Sequence, residues 1–245
     1  MFVHYRTEGL FLKKKERGEA DQLFSVYTKD YGKIDILGRG IRKIKSKLRA
    51  GADIFYLSNI EFIQGKAYKT LTNALLIDKF SGIRKNPLKL KISNKISDAI
   101  ESLIPNQEKD RKIWDLLLKT FNNLNVVDIK KINPKLFFYY FLGKFLTFLG
   151  YQPELHNCAS CHKKLLPGPL FFSVREGGII CSQCFQGRKE GEEILLETIK
   201  ILRFIIEKDW PTVSRLKFDI KYLKDLGVIL DSYLASLAKS AISDH

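Results

Sequence analysis

The four cysteines of this chain occur in two pairs, and their spacing restricts what the C-terminal half can fold into. Cys158 and Cys161 form the first pair and Cys181 and Cys184 the second, in the pattern C-x2-C-x19-C-x2-C. Each C-x-x-C turn can direct two thiolates at the same ion, as in tetrahedral zinc sites. Because four thiolates leave no open coordination position, the spacing predicts a structural zinc ion and not a catalytic one.

The segment between the cysteine pairs predicts a β-hairpin. Leu170–Val174 is a short apolar strand, residues 175–178 form a turn, and Ile179-Ile180 leads into the second pair. A hairpin that carries a C-x-x-C knuckle at each end is the outline of a zinc ribbon.

Other uses of the cysteines are weaker alternatives. Two disulfides would need an oxidising compartment, and the N-terminal residues show no uninterrupted apolar run of the kind that an export signal has. Residues 158–162 also satisfy C-x-x-C-H, the pattern of covalent haem attachment, but the same missing signal and the second cysteine pair argue against it. An iron–sulfur site with four thiolates stays open, because spacing alone does not distinguish it from zinc.

The positive charge is distributed unevenly along the chain. The formal net charge is +15 over 245 residues, with +7 in residues 1–80, +7 in residues 81–150 and only +1 in residues 151–245. This distribution predicts that the N-terminal part binds a polyanion. With 45% hydrophobic and 28% charged residues, the chain has the composition of a folded protein with real cores.

The first 80 residues have the pattern of a small β-barrel. Five β-rich runs with turn signals between them suit an OB-type barrel better than an open sheet. Gly38 and Gly40 fall where such a barrel needs a bend. The predicted strands are 4–14, 23–28, 33–37, 53–63 and 66–76.

Helical periodicity begins near residue 94 and continues on both sides of the cysteine segment. Residues 136–149 are strongly apolar, but the run is too short to span a bilayer and contains Lys144, so we expect a buried helix that starts at Asn133-Pro134 and stops at Gly150. The predicted architecture is an α+β multidomain protein with an N-terminal OB-type β-barrel, a helical body and an inserted four-cysteine zinc ribbon. The predicted domains are the barrel 1–80, the helical domain 81–150, the ribbon 151–190 and closing helices 191–245.

A basic stretch at Gly32–Arg49 is the candidate nucleic-acid contact. It contains seven basic residues against the single acid Asp35, on and just after a predicted strand. OB barrels bind oligonucleotides with basic groups along the phosphates and aromatic side chains under the bases. An ordinary solvated run beside core tyrosines is the alternative. The candidate stacking residues are Tyr27, Tyr31, Tyr56 and Tyr68.

Two further basic runs carry less information. Residues 13–17 either extend the candidate surface or form a solubilising loop, and the spacing of the basic residues in 84–95 does not identify a partner. The sequence contains neither a phosphate-binding G-x-x-x-x-G-K-[ST] loop nor H-E-x-x-H, so a binding protein is predicted and not an enzyme. We expect it to act in the cytoplasm, without a membrane.

Three segments resemble the RecO family of bacterial recombination mediators. Residues 148–161, FLGYQPELHNCASC, join an apolar helix to a Leu-Gly-Tyr-x-Pro-x-Leu turn and the first C-x-x-C as family members do. Residues 5–12 and 31–42 look like the opening barrel strands of the family. The resemblance implies a DNA-repair factor without nucleotide hydrolysis, which binds single- and double-stranded DNA and anneals complementary strands.

The resemblance also implies partners and roles for residues. With RecR and the C-terminal tail of single-stranded-DNA-binding protein, such proteins help RecA to load; that acidic, apolar tail would suit a basic, apolar groove on the helical domain. The four cysteines match the metal positions of the family, where a metal is scaffold. By motif position, the phosphate contacts would be Lys33, Arg39, Arg42 and Lys43, followed by Lys45 and Lys47.

Two other functions fit parts of the pattern. A zinc-ribbon protein that binds RNA or the ribosome would share the basic charge and the cysteines. A metal-dependent nuclease would need a carboxylate cluster assembled from distant parts of the sequence.

Overall fold

The computed structural model describes residues 3–65, 67–105, 107–130, 132–186 and 191–243. The chain divides into two compact units, Met1–Val127 and Asp128–His245. The domain boundaries expected at residues 80, 150 and 190 stay a prediction.

The first unit opens with a closed five-stranded barrel, which confirms the predicted OB-type fold. Its strands are β1 (His4–Arg17), β2 (Asp21–Thr28), β3 (Gly32–Gly38), β4 (Leu57–Gln64) and β5 (Lys69–Asp78). The order around the barrel is β1-β2-β3-β5-β4, with β1 paired to both β2 and β4 and with β3 and β5 parallel. One long strand shared by two partners lets five strands close on themselves.

Two strands begin later than the sequence predicts, whereas β1 extends to Arg17 and β2 already begins at Asp21. β4 begins at Leu57 and not at residue 53, because Phe55 has a left-handed backbone (φ 61°) that a strand cannot contain. Residue 66, where the fifth predicted strand starts, lies outside the described residues, and β5 runs from Lys69. The barrel interior is built from alternate strand residues, as expected for period-2 burial. It includes Phe11, Phe24, Val26, Ile34, Ile36, Ile60, Phe62 and Leu71.

In the described part of the first unit, three α-helices follow the barrel strands: α1 (Ser81–Arg84), α2 (Pro87–Leu103) and α3 (Arg111–Val126). α2 begins before the periodic region, because the Asn86 side chain accepts hydrogen bonds from the N–H groups at the start of the helix and Pro87 occupies its first turn. The helices pack on the barrel through aromatic pairs. Trp114 of α3 lies parallel to Tyr27 of β2, with ring centroids 6.5 Å apart, and Phe121 of α3 contacts Phe55 at 5.7 Å.

The second unit contains helices and the cysteine-bearing sheet. Its long helices are α4 (Pro134–Phe148), α6 (Leu196–Glu207) and α8 (Ile220–Ser243), and its short ones are α5 (Ser182–Phe185) and α7 (Trp210–Val213). A three-stranded sheet of order β7-β6-β8 uses β6 (Leu170–Ser173), β7 (Gly178–Cys181) and β8 (Glu192–Ile194). The predicted hairpin is therefore confirmed.

α4 is the buried helix that the apolar run predicts. The Asn133 side chain caps its first turn, Pro134 follows, and Gly150 just beyond its end adopts a left-handed backbone (φ 82°). Buried side chains occur on all sides of the helix, which explains why its sequence shows no polar face. Among the described residues, no helix is both long enough and apolar enough for a membrane span.

Candidate nucleic-acid interface and metal centre

Most of the predicted DNA-contacting residues lie on one exposed segment, residues 39–49, which we name the basic loop. It starts directly after β3 and includes part of a short 3-10 helix at Lys47–Ala50. It contains no acidic residue. Its six exposed cations are Arg39, Arg42, Lys43, Lys45, Lys47 and Arg49.

The basic loop is anchored to the barrel by its apolar residues and its backbone. Ile41 is buried in the barrel core and Leu48 packs against that core. The Gly40 N–H donates to Asp21 Oδ1 at 2.7 Å, and the Arg42 N–H donates to the Ala20 carbonyl at 2.9 Å. Gly40 has φ 60°, where a side chain would strain the turn, so the predicted bend is confirmed. The anchors hold the cations on the outside of the barrel, where Arg42 Nη1 also lies 3.3 Å from Glu16 Oε2.

The base of the basic loop borders a pocket of about 330 Å³ on the first unit. Arg42 and Arg49 line this pocket together with Lys14, and one carboxylate, Asp53, also lines it. Asp53 is already bound by two cations, since Lys14 Nζ lies 2.6 Å and Arg84 Nη2 2.8 Å from its oxygens. Burial alone would raise the pKa of Asp53, but the hydrogen bonds from Lys14, the Ile54 N–H and Arg84 outweigh it and lower that pKa.

The structure corrects the prediction that Lys33 contacts a phosphate. Its side chain is buried between β3 and α2, and its Nζ lies 3.3 Å from Glu101 Oε2. Glu101 also accepts a hydrogen bond from the Ser25 hydroxyl. Lys33 therefore neutralises a partly buried carboxylate and does not face a phosphate. The sequence gives no direct signal of this, because Glu101 lies 68 positions away.

The candidate stacking tyrosines are mostly occupied by protein contacts. Tyr27 is fully buried against Trp114, so a role under a base is excluded for it. Tyr31 packs edge-on against Tyr5 and Phe62 in the barrel. The remaining two lie under arginines. The Arg84 guanidinium carbon is 4.8 Å from the Tyr56 ring centroid, and the corresponding distance from Arg17 to Tyr68 is 4.3 Å.

The other basic runs contain mixed environments. Lys13 pairs with Asp98, while Lys15 is exposed beside it on the β1–β2 hairpin. Lys89, in the run that begins at residue 84, is buried and donates to the Asn125 carbonyl at 2.9 Å. Lys91 of the same run is exposed. The two runs differ from the basic loop in composition and burial, because Glu16 interrupts the first and Lys89 of the second is buried.

The four cysteines of the second unit come together, as their spacing predicts. All four Sγ atoms lie within 4.8 Å of one another, and Cys158 is buried. In the first knuckle the Cys158 N–H donates to the Lys163 carbonyl at 2.8 Å, and His162 turns the chain with a left-handed backbone. In the second, Cys181 ends β7 and Cys184 lies in α5. Within the described chain, no other group of three or more His, Cys, Asp or Glu side chains is close enough to share an ion.

Close packing joins the two knuckles. The Ala159 N–H donates to the Ile179 carbonyl at 2.7 Å, which ties the first knuckle to β7. Gly178 pairs with Glu154, and a Cβ on this glycine would lie 2.4 Å from the Glu154 carbonyl oxygen. Only glycine allows the backbones to approach so closely here. The approach brings the first cysteine pair to the end of the hairpin that carries the second.

The electrostatics of the cluster favour a bound cation. Burial would raise the pKa of Cys158, but backbone N–H groups of Cys161, Cys181 and Ser160 outweigh it and lower that pKa to about 6. Hydrogen bonding with Cys161 and Cys181 raises the pKa of Cys184 to about 12. Four sulfur atoms this close cannot all ionise without a positive ion between them.

The donor set fits zinc. Bonds of about 2.3 Å in a tetrahedral arrangement place sulfur atoms about 3.8 Å apart, a spacing within the 4.8 Å limit of this cluster. Four thiolates are also a soft donor set that calcium and magnesium do not use. Each knuckle supplies two of the four ligands, so a bound zinc ion would cross-link the two knuckles. No coordination position would remain open.

The second unit also contains an apolar groove of about 310 Å³ between the start of α4 and the start of α8. Lys217 contributes a positive charge at its edge, and Ile220 is 60% exposed there. The sequence does not assign residues to this groove, because the segment between α7 and α8 has no strong periodicity. The groove is lined by Ile132, Asn133, Leu136, Ser214, Leu216, Lys217, Phe218, Ile220 and Leu223.

Two protein-family models match this chain and together cover nearly all of it. Residues 1–80 match "Recombination protein O N terminal", and residues 84–240 match "Recombination protein O C terminal". The first match coincides with the barrel strands, and the second includes the cysteine cluster.

Full-length relatives agree with these matches. A protein named DNA repair protein RecO from Dehalococcoides mccartyi is 33% identical over 226 residues, which cover 92% of this chain and 87% of the relative. Proteins of the same name from Thermoanaerobacter sp. and Halalkalibacterium halodurans are 26% and 24% identical, each over 94% of this chain and about nine-tenths of their own length.

Proposed function

This chain belongs to the RecO family of DNA repair proteins, and we propose that it is a recombination mediator that binds single- and double-stranded DNA and anneals complementary strands. It acts by binding, with no catalytic activity of its own. Its place of action is the cytoplasm, at the nucleoid.

The observation that carries this proposal is the basic loop. Six exposed cations follow one another on an anchored segment at the end of a barrel strand, with no acid among them. OB barrels use rim loops and strand faces of this kind for oligonucleotides. Cationic contacts to sugar–phosphate backbone carry little sequence information, which suits a factor that acts at any DNA gap.

Annealing requires two polyanions to approach each other. Residues 1–150 carry a net charge of +14, which reduces the repulsion between complementary strands held on one protein. Arg39, Arg42, Lys43, Lys45 and Lys47 bind phosphates in this proposal, together with Arg49 and without Lys33.

The partners follow from the same proposal. The acidic, apolar tail of single-stranded-DNA-binding protein binds the groove of the second unit, where apolar side chains lie beside Lys217. RecR then joins the complex, and RecA loads onto the strand that is released. An apolar groove with a cation at its edge matches a tail that has both apolar side chains and carboxylates.

The zinc ion has a structural role. Cys158, Cys161, Cys181 and Cys184 hold it, and when bound it supplies a cross-link in place of a large apolar core. The ribbon then keeps β6 and β7 against the helices of the second unit, where Phe172 packs edge-on against Tyr233 of α8.

Annealing of complementary oligonucleotides coated with single-stranded-DNA-binding protein tests the proposal. We expect the pure protein to accelerate annealing, and the protein with RecR to shorten the lag before RecA filaments form. Competition between RNA and DNA of equal length decides the alternative function. A strong preference for RNA without annealing would instead support the RNA-binding or ribosome-associated protein, and magnesium-dependent cleavage of labelled DNA would support a nuclease.

A further inference from the structure

The basic loop carries an apolar side chain at its outermost part. Ile44, between Lys43 and Lys45, is 92% exposed, the largest exposure among the large apolar side chains that the structure describes. The other isoleucines of the stretch, Ile34 and Ile36 in β3 and Ile41 in the basic loop, are all buried.

The backbone fixes Ile44 in this position. The Lys43 N–H donates to the Gly40 carbonyl at 3.1 Å, and the Ser46 N–H donates to the Lys43 carbonyl at 3.0 Å. Ile44 directly follows the first turn and is the second residue of the second, while Ile41 and Leu48 anchor the loop on either side of it. An isoleucine also has few side-chain rotamers, so it is presented to solvent as a stiff apolar group.

We propose that Ile44 contacts nucleobases, packing against the faces of unpaired bases of single-stranded DNA while Lys43 and Lys45 bind the neighbouring phosphates. This inference rests on the proposed function and extends it from phosphates to bases. A single strand presents apolar base faces and anionic phosphates within one nucleotide of each other. That combination matches an apolar side chain placed between two lysines.

The chemistry of the partner follows from the surroundings of Ile44. A protein that buried this side chain would also have to neutralise the lysines on both sides of it. In a DNA duplex the base faces are stacked and covered, so an apolar wedge must first separate them. Single strands need no such separation, and contact with a base face tolerates any sequence.

Binding measurements that combine two forms of the protein with two DNA strands test this contact. The protein is wild type or Ile44→Ser, and the DNA is an oligothymidine or a strand of equal length and charge with abasic sites at its centre. We expect Ile44→Ser to weaken binding of the intact strand by about tenfold and to leave the abasic strand unaffected. Ile44→Phe retains or strengthens binding to the intact strand, because an aromatic ring also stacks on bases.

The salt dependence separates the base contact from the phosphate contacts. Ile44→Ser should leave the slope of log affinity against log salt unchanged, whereas Lys45→Ala should reduce its magnitude by about 0.7 and weaken both strands alike. Val126→Ser, at an 80% exposed position on α3, is the matched control and should change neither affinity nor slope.

Two results would overturn the inference. One is an Ile44→Ser protein that binds the intact strand as tightly as wild type, and the other is an equal loss on intact and abasic strands. In both cases wild-type binding and its salt slope would remain, so the proposed function would stand. A wild-type protein that binds neither strand would instead reject the proposed function itself.

Discussion

The basic loop of the first unit and the four-cysteine ribbon of the second use their side chains in opposite ways. The loop carries six exposed cations on the outside of the barrel and keeps its place through two apolar anchors and backbone hydrogen bonds. The ribbon directs four thiols towards one another. Like charges that face outward contribute to binding and little to stability, whereas converging ligands contribute to stability and leave nothing exposed for a substrate.

This difference separates two kinds of variant. Changes in the basic loop should weaken DNA binding and leave the free energy of unfolding nearly unchanged. Changes in the ribbon should do the reverse. The variants below test whether the effects on DNA binding and on stability are separate, beginning with the largest expected effect.

Removal of one cysteine should have the largest effect. Cys158→Ser or Cys181→Ser should release the metal and unfold much of the second unit, because structural zinc in small peptides contributes on the order of 10 kcal/mol. Elemental analysis and thermal unfolding of the purified protein measure both consequences. Ser182→Ala, in the second knuckle but without loss of a thiol, is the control. A Cys158→Ser protein that unfolds at the wild-type temperature would show that the cluster is not structural.

Reversal of three loop charges should have the next largest effect. Arg39→Glu, Lys43→Glu and Lys45→Glu together should weaken single-stranded DNA binding by about 100-fold at 0.1 M salt, since each phosphate contact contributes a slope of about 0.7. The midpoint of thermal unfolding should stay within about 2 °C of wild type, as expected for exposed positions.

The control for this variant reverses three exposed lysines of the second unit. It changes the net charge by the same amount, so an equal loss of binding in both proteins would mean that overall charge and not the basic loop governs affinity. The control substitutions are Lys164→Glu, Lys200→Glu and Lys208→Glu.

Lys33 belongs to the basic stretch but is buried, so its replacement should affect stability more than DNA binding. Lys33→Met should destabilise the first unit by about 1–3 kcal/mol, because Glu101 would keep a partly buried charge without its partner. DNA affinity should change less than twofold, since the side chain is buried. Urea unfolding and a DNA titration measure the two quantities. A loss of affinity with unchanged stability would place Lys33 back among the phosphate contacts.

Asp53 should give the smallest effect, and one that depends on pH. The pKa of Asp53 is lowered in the folded protein, so its contribution to stability is present above its ordinary pKa and is lost as the pH falls through the lowered one. Asp53→Asn should therefore cost about 1 kcal/mol or less at neutral pH. Unfolding measured from pH 7 down to pH 3 should show the two proteins converging in acid. A constant difference across that range would contradict the assignment.

The sequence predicts the cysteine cluster better than it predicts which residues of the basic stretch are exposed, for a physical reason. Metal ligation needs four residues of one type at short, fixed spacings, so the cysteine pattern contains most of the site. The helix around Asn133-Pro134 is predicted for a similar reason, because capping is local. The barrel was recognisable from its five short runs and its glycines.

Tertiary contacts determine which residues are buried or exposed where the local sequence pattern does not. Lys33 belongs to the basic stretch by sequence, but α2 brings Glu101 over it and buries it. Tyr27 lies on a barrel strand, but α3 covers it with Trp114. The opposite happens at Ile44, an apolar side chain that the turn at residues 43–46 leaves exposed. Long-range packing and loop turns therefore determine which of the residues in a basic stretch can meet DNA.

The most direct test of the central claim is the salt dependence of single-stranded DNA binding by the wild-type protein and by the Arg39, Lys43 and Lys45 charge reversal. If the basic loop neutralises about six phosphates, log affinity falls with log salt at a slope of about −4 for wild type, and the slope of the variant is smaller in magnitude by about two. A wild-type slope near zero, or a variant with the wild-type slope and affinity, would contradict the assignment of DNA binding to this loop.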